Sequence, residues 1–399
     1  MKSGSNNKSE QEVKKIVLDR ENITFEDPLA EKKRVEIEKR TDVEAERIKR
    51  LLKFPDLTRK ENSPVKFIVD RIISLPQFKD FDIVKIPEIL SVENEFDILN
   101  TPKDHPSRRK TDTYYLDENT VLRTQTTAMW SYYLKDQRII GKLVNRGNIG
   151  ALCYGKVYRK DTVDKNHYPV FHQIDGLYIC KKEKKIITSQ DLVSVLVDIA
   201  KGIYGEDVEW RIVPDTFPYT ESSIQMDIKW RGKWFEVLGA GLVKRDIYPN
   251  FHLDPNVYNG WAFGFGLDRL AMIKMGIPDI RIFWSNDERI IRQFKDINSQ
   301  YKEVSKYPST YRDISFVVDK NFDYNSYCDL IRECAKDLVE EVKLIDEYEN
   351  REKFGEDKKS FTFRIIYRSF ERTLTNEEVN EIQEKIRQKT AKELNATLR

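Results

Sequence analysis

The chain has 399 residues, of which 69 are lysine or arginine and 67 are aspartate or glutamate, so a formal net charge of +2 identifies neither a nucleic-acid-binding nor an acidic class of protein. Apolar residues make up 39% and aromatic residues 11%, enough for a folded core and too much for global disorder. No run approaches the ~18 apolar residues of a membrane span, and the first twenty residues lack the pattern of a secretory signal. The four cysteines form no CxxC pair, and His105 and His167 lack a third ligand, so we predict no metal site built from protein side chains alone. The composition predicts a soluble, intracellular protein of the cytoplasm or an organellar matrix, with no membrane partner.

The first 60 residues are polar and densely charged, and we predict a charged, helical N-terminal extension over residues 1–60. Apolar or small residues recur with helical spacing from 43 to 52 within a charged surround. We favour a solvated helix here over a dedicated binding arm. Ser63 and Pro64 then predict the start of a helix, as its cap and its first residue.

From about residue 80 to 285, short apolar or alternating runs are separated by turn residues such as Arg231 and Gly232. Because strands follow strands, instead of alternating with helices, the pattern predicts an α+β domain over residues 61–297 with an antiparallel sheet flanked by helices. Strands are predicted at 81–86, 114–116, 157–158, 171–179, 224–230 and 234–238, and helices at 191–203 and 266–275.

A second domain is predicted over residues 303–399. Its order is strand, helix, strand, strand, helix, with room for one more short strand, which is typical of a ferredoxin-like split βαβ fold. The elements are predicted at 313–318, 324–338, 342–348, 360–367 and from 376 onward.

Candidate binding side chains lie in a segment with the pattern of a strand, a loop and a returning strand. Along the returning strand, the two-residue period places Gln173 and Asp175 on one face. An edge facing water would explain this pair, and so would a small ligand, because an aspartate suits an ammonium and a glutamine suits a carboxylate or a carbonyl. Arg159, which begins the loop, suits a phosphate.

A second candidate segment contains Gly264, Gly266 and Arg269. Alternating glycines allow a ligand to approach the backbone where a helix starts, although tight strand–helix packing would also explain them. An arginine in the first turn of a helix is unfavourable against the helix dipole unless an anion lies nearby. Together with Arg159, Arg269 therefore suggests two arginines that clamp a polyphosphate. Gly239, Gly241 and Gly266 are predicted positions of close backbone approach.

Taken in chain order, these segments resemble class II aminoacyl-tRNA synthetases, and specifically the single-chain phenylalanyl-tRNA synthetases of the mitochondrial type. The resemblance covers roughly residues 64–399, and several ordered motifs in two domains make chance agreement improbable. Residues 105–108 resemble the family's HPAR segment, 158–176 its motif 2, 263–269 its motif 3 and 217–221 the segment that lines the amino-acid pocket, while 305–308, 312–315 and 372–375 resemble its ferredoxin-fold anticodon-binding domain.

The resemblance implies ATP and Mg²⁺ as cofactors, and L-phenylalanine and tRNA(Phe) as partners of a monomer that lacks a β subunit. It implies an ATP-dependent phenylalanyl-adenylate, from which the amino acid passes to the tRNA. On the ATP side it assigns Arg159 to the α-phosphate, Arg269 to the γ-phosphate end, and Asp161 and His167 to the nucleotide side of the loop. On the amino-acid side it assigns Gln125, Thr127, Gln173 and Asp175 to binding, Phe217 and Tyr219 to stacking, and Ala262 and Gly264 to the pocket floor.

The match is imperfect on the amino-acid side. Gln125 stands where the family usually has histidine, Asp175 replaces the customary glutamate, and Ser222 replaces the usual proline. Two alternatives therefore stay open: a class II relative that activates a different amino acid, and a non-catalytic tRNA-binding protein that retains the fold. Adenylation is better supported than phenylalanine as the substrate.

Overall fold

The computed structural model describes residues 20–304 and 307–399, and within these ranges two large sheets organise the chain. The predicted extension is therefore described only from residue 20 onward, and Ser305 of the resemblance lies outside the described residues. The strands are β1 (Asn22–Thr24), β2 (Asp82–Lys85), β3 (Ile89–Ser91), β4 (Tyr115–Asp117), β5 (Thr120–Leu122), β6 (Asn148–Tyr158), β7 (Val170–Lys181), β8 (Glu209–Pro214), β9 (Thr220–Trp230), β10 (Lys233–Val243), β11 (Tyr258–Gly266), β12 (Thr310–Asp319), β13 (Val339–Tyr348), β14 (Lys358–Tyr367) and β15 (Thr397–Leu398).

The helices surround these sheets. They are α1 (Pro28–Lys39), α2 (Val43–Leu52), α3 (Pro64–Ile73), α4 (Val92–Glu95), α5 (Trp130–Tyr133), α6 (Gln137–Arg146), α7 (Ser189–Tyr204), α8 (Leu267–Met275), α9 (Glu288–Ile291), α10 (Tyr324–Ala335), α11 (Arg351–Phe354) and α12 (Asn376–Glu393). No helix in the described part of the chain is both long and apolar enough to cross a membrane.

The larger sheet has eight strands in the order β1-β2-β6-β7-β11-β10-β9-β8. The predicted antiparallel sheet is confirmed for the six strands from β6 to β8, whereas the β1–β2 and β2–β6 pairs are parallel. The parallel edge exists because the three helices α1, α2 and α3 connect β1 to β2 and a long segment connects β2 to β6, so neither pair forms a hairpin. The turn predicted at Arg231 and Gly232 is confirmed: both residues have positive φ, as a two-residue hairpin requires.

Three helices, α3, α7 and α8, pack against each other and against this sheet. Ile68 and Ile72 on α3 are fully buried, and so are Leu196 and Ile199 on α7, so each helix turns an apolar face toward the core. Thr188 begins α7 with a reciprocal capping box. This layer holds the long central strands β7 and β11 rigidly behind the site described below.

The expectation of a solvated N-terminal helix is wrong for α2. Ile48 is fully buried in a cluster with Tyr114 and Tyr158 of the larger domain, and the Arg47 Nε donates to the Glu333 carboxylate of α10 at 2.9 Å. One face of α2 is apolar enough to be buried, and the charges that suggested a solvated surface are partly ion pairs with another part of the fold.

Because Ile48 is fully buried, we expect Ile48→Ala to destabilise the protein by about 2 to 5 kcal/mol through lost contacts and the cavity left behind. The matched change Val43→Ala on the 47% exposed face of the same helix should cost less than about 0.5 kcal/mol. Urea unfolding followed by circular dichroism measures both changes. Equal effects of the two variants would contradict the packed position of α2.

The C-terminal sheet has the order β13-β14-β12-β15 and is covered by α10 and α12. Apart from the four-residue helix α11 between β13 and β14, its chain order is β-α-β-β-α-β, so the predicted ferredoxin-like fold is confirmed, including the additional short strand, β15. Helix α10 lies against the loop between β6 and β7: the Arg332 guanidinium donates to the carbonyl oxygens of Asp161 and Thr162 at 3.1 and 2.8 Å.

Candidate active site

A cavity of about 600 Å³ opens over the centre of the larger sheet, where β7 and β11 lie side by side. The antiparallel register sets Asp175 opposite Gly264 and Gln173 opposite Gly266, so the two polar side chains of β7 lie beside strand positions without side chains. The cavity's predicted lining residues are Arg159, Asp161, Arg269, Gln125, Thr127, Gln173, Asp175, Phe217, Tyr219, Ala262, Gly264, Gly239 and Gly266.

Two arginines line this cavity from different elements. Arg159 follows β6; its Nε donates to the Thr124 carbonyl oxygen at 3.0 Å, and its guanidinium lies over the Phe171 ring at 5.2 Å. Arg269 lies in the first turn of α8, and its Nε donates to the Glu236 carbonyl oxygen at 2.9 Å. Within the described residues neither arginine has a carboxylate partner, so both guanidinium groups remain available for an anion. Two such guanidinium groups in one cavity suit a polyphosphate.

The buried carboxyl of Asp175 forms the acidic part of the cavity. It is 3% exposed, and it accepts hydrogen bonds from the hydroxyls of Thr126 and Thr127. Burial raises the pKa of Asp175 to about 6, against the lowering effect of these two hydroxyls. The Oε1 atom of Gln173 is buried and, in the described part of the chain, has no hydrogen-bond partner. The unpartnered acceptor of Gln173 beside a carboxylate suits the ammonium group of an amino acid, rather than the carboxylate or carbonyl that the residue type alone suggested.

An aromatic wall adjoins this acidic pair. The rings of Phe217 and Tyr219 are stacked with centroids 6.4 Å apart, and Tyr219 meets the edge of the buried Trp130 at 5.6 Å. Ala262 adds only a methyl group to the lining. The arrangement leaves an apolar space beside Asp175, which suits a planar apolar side chain. Trp130 itself is fully buried in the core.

The glycines serve different purposes. A Cβ on Gly264 would lie 2.6 Å from the Asp175 Oδ1, so Gly264 leaves room for the carboxyl group and does more than keep the pocket floor small. At Gly239 an added Cβ would lie 2.9 Å from the Phe217 ring, and at Gly241 it would lie 2.5 Å from Thr220. Nothing of the protein lies within 4 Å of a Cβ on Gly266, whose neighbour is the open cavity.

Two predicted residues do not line the cavity. His167 lies on the loop after β6 with its Nδ1 2.7 Å from the Asp164 carboxylate, and this hydrogen bond raises the pKa of His167. Gly241 packs under Thr220 instead. Conversely, Thr126 and Lys160 were missed: Thr126 binds Asp175 directly, and Lys160 lines the cavity beside Asp161. The polar run at residues 124–127 was the available signal for Thr126.

Of the three departures from the family's usual residues, Gln125 and Asp175 line this cavity and Ser222 does not. The Tyr219 hydroxyl donates to the Gln125 Oε1 at 3.3 Å, so the glutamine provides an acceptor for a hydroxyl that would otherwise be unpaired. Ser222 has φ +50°, a backbone conformation that the proline ring excludes. The family's usual proline therefore could not take this backbone conformation at position 222.

Comparison with known proteins matches both domains. The family model of the tRNA synthetases class II core domain (F) matches residues 49–294, and that of the ferredoxin-fold anticodon binding domain matches residues 305–399. A relative named phenylalanine–tRNA ligase, chloroplastic/mitochondrial, from Arabidopsis thaliana is 40% identical over 333 residues, covering 81% of this chain and 73% of the relative. The chain belongs to the phenylalanine–tRNA ligase family. Relatives named phenylalanine–tRNA ligase, mitochondrial, are 35% identical in Mus musculus (78% of this chain, 74% of the relative) and 33% identical in Saccharomyces cerevisiae (85% and 88%).

Membership of the phenylalanine–tRNA ligase family confirms the predicted fold class, with a class II synthetase core followed by an anticodon-binding domain. It also confirms the resemblance drawn from the ordered motifs. In this family the cavity over β7 and β11 is the candidate active site, because it brings together the predicted phosphate-binding arginines and the predicted amino-acid-binding carboxylate.

Proposed function

We propose that this chain attaches L-phenylalanine to tRNA(Phe) in two steps, through a phenylalanyl-adenylate made from ATP. One observation carries the proposal: two arginines that have no carboxylate partner among the residues described, one buried carboxylate and an aromatic wall line the same cavity. The enzymes named for this reaction among the relatives, and the anticodon-binding domain, support the choice of amino acid and tRNA.

In the first step the phenylalanine carboxylate attacks the α-phosphorus of ATP in line, and pyrophosphate leaves. No protein nucleophile is needed, because catalysis comes from positioning and from stabilising charge on the phosphates. Arg159 would hold the α-phosphate and Arg269 the γ-phosphate end, and Asp161, which also lines the cavity, would lie on the nucleotide side. Asp175 and Gln173 would hold the substrate ammonium, which leaves the carboxylate facing the phosphates.

Mg²⁺ would enter together with ATP. Among the described residues no group of three or more histidine, cysteine, aspartate or glutamate side chains forms a cage for a metal ion. The lack of such a group among these residues is compatible with a Mg²⁺ ion that keeps several waters and binds mainly through the phosphates of the substrate. When bound, the ion would neutralise part of the phosphate charge.

The aromatic wall would select the amino acid. Phe217 and Tyr219 would stack on the substrate ring, and the small Ala262 leaves room for it. A tyrosine substrate would bring a hydroxyl into this apolar space, where an unpaired polar group is costly. In the second step the 2′-hydroxyl of the terminal adenosine of tRNA would attack the adenylate and release AMP.

The deciding experiment is exchange of pyrophosphate into ATP with each of the twenty amino acids, without tRNA. Exchange with phenylalanine alone would support the proposal. It would also show that Gln125 and Asp175, which differ from the family's usual residues, do not change the amino acid that is activated. Exchange with a different amino acid would keep the enzyme class and overturn the substrate. With folded protein and Mg²⁺ present, no exchange at all would favour the non-catalytic tRNA-binding alternative.

The KM for phenylalanine is expected to depend on pH in a direction set by Asp175. Since burial raises the pKa of this carboxyl to about 6, the group is ionised and pairs with the substrate ammonium above that pH, and it becomes neutral below. The KM should therefore be flat above pH 7 and rise up to about tenfold per pH unit below 6. Pyrophosphate exchange at saturating ATP measures this KM, and circular dichroism verifies the fold at each pH. A flat KM from pH 5 to 8 would contradict the role of Asp175.

We further propose that the chain acts as a monomer without a β subunit in an organellar matrix. The organellar names of the relatives support the location. The two matched domains leave no part of residues 49–294 or 305–399 for an editing domain, which supports a monomer without editing of its own. Light scattering after gel filtration should give a mass near 47.3 kDa, and a stable dimer would refute the monomer.

A further inference from the structure

A buried carboxylate outside the lining of the cavity anchors the segment 124–127, which contacts Arg159, Tyr219 and Asp175. Glu95, the last residue of α4, is fully buried, and its Oε1 accepts hydrogen bonds from the Thr124 backbone N–H at 2.9 Å and the Thr124 hydroxyl at 2.5 Å. Its Oε2 has no hydrogen-bond partner among the described residues. A buried carboxylate with one bare oxygen is costly to keep, because burial raises the pKa of Glu95 to about 7. A buried carboxylate that destabilises the fold in this way is a candidate for a functional role.

Thr124 begins a run of four residues that connects Glu95 to both halves of the site. The Thr124 carbonyl accepts the hydrogen bond from the Arg159 Nε at 3.0 Å. Gln125 accepts the Tyr219 hydroxyl, and Thr126 and Thr127 donate to Asp175. A displacement of Thr124 would therefore reach the phosphate-binding arginine and the amino-acid pocket together.

We propose that Glu95 is a positioning residue of the adenylation site: its carboxyl holds residues 124–127 in place and, through the Thr124 carbonyl, orients the guanidinium of Arg159. This inference rests on the proposed function, since it assigns Arg159 to the α-phosphate. The charged and titratable groups around Glu95 are Arg123 and Arg159, which favour its ionised form, and the hydroxyls of three tyrosines, Tyr115, Tyr132 and Tyr219. Hydrogen bonds to an ionised carboxylate are about twice as strong as those to a neutral group, so protonation of Glu95 loosens the segment.

The test is pyrophosphate exchange from pH 5.5 to 8.5 at saturating phenylalanine, so that Asp175 is occupied and the titration seen is not its own. For the wild-type chain, kcat/KM for ATP should fall about fivefold as the pH decreases through 7. Glu95→Gln keeps the shape and one acceptor but cannot ionise, so it should give a flat profile at the low wild-type level. Glu93→Gln, on the exposed side of the same short helix, should retain the wild-type profile.

Glu95→Ala removes the acceptor altogether and should lower kcat/KM for ATP at least tenfold at pH 8, with partial recovery in Glu95→Gln. If Glu95→Gln keeps the wild-type inflection near pH 7, the inference is overturned, even if Glu95→Ala fails to fold. If the wild-type chain shows no pyrophosphate exchange at all, the proposed function itself is contradicted. Active variants that differ from the wild type only in thermal midpoint would leave Glu95 a structural residue and overturn the positioning role.

Discussion

Arg269→Gln is expected to lower kcat/KM for ATP in pyrophosphate exchange about 10³-fold, the magnitude typical of removing a cation that stabilises phosphoryl charge. The guanidinium lies in the first turn of α8, against the helix dipole, and its only described hydrogen bond is the one from Nε to Glu236. The side chain is exposed, so its loss should leave the free energy of unfolding within about 0.5 kcal/mol of the wild type, or slightly above it. A large loss of activity without loss of stability is the signature of a group that acts on the bound substrate.

Steady-state exchange at saturating phenylalanine measures this change. Arg138→Gln is the matched control, because Arg138 is a 70% exposed arginine on α6, away from the cavity. A loss of less than tenfold in Arg269→Gln, or an equal loss in the control, would remove Arg269 from the phosphate site. Chemical unfolding of both variants excludes a folding defect as the cause.

Asp175→Asn is expected to lower kcat/KM for phenylalanine about 10² to 10³-fold and, at pH 8, to stabilise the free protein. The first effect follows because an amide cannot pair with the substrate ammonium in a buried site. The second follows from the sign of the pKa shift: burial raises the pKa of Asp175 from 3.8 to about 6, so the folded state holds the proton more tightly than the unfolded chain does. Stability is then lost as the pH rises from about 4 through 6, and at pH 8 the wild type carries the whole cost.

The asparagine variant avoids this cost, and we expect a gain of about 1 to 3 kcal/mol at pH 8 that disappears near pH 4. Urea unfolding at both pH values, beside exchange kinetics at pH 8, measures the two effects together. Asp198→Asn on the exposed side of α7 is the control and should change neither quantity. If Asp175→Asn is less stable than the wild type at pH 8, the buried charge of Asp175 does not destabilise the folded protein, and this prediction is wrong.

The sequence pattern predicted much of the fold because local periodicity and turn chemistry are strong in this chain. The β9–β10 hairpin was found from a two-residue turn, and the C-terminal element order was found from the spacing of apolar runs. β6 was predicted only at 157–158 although it spans Asn148–Tyr158, because nearly every residue of this strand is buried and the two-residue alternation is absent. The parallel pairing of β1 and β2 has no local signal, since long connections bring the two strands together.

The candidate site also has a part that the sequence predicted and a part that only the tertiary structure shows. Residue type, order and spacing were sufficient to identify the family and to propose Arg159, Asp175 and Arg269 as binding residues, because a guanidinium suits a phosphate and a carboxylate suits an ammonium. The support around these groups depends on contacts between residues far apart in sequence, which no pattern along the chain reports. Folding alone sets Glu95 against Thr124, buries Ile48 of α2 and pairs His167 with Asp164, outside the cavity lining. A side chain's chemistry is local, whereas its burial and its partners depend on which distant segments pack around it.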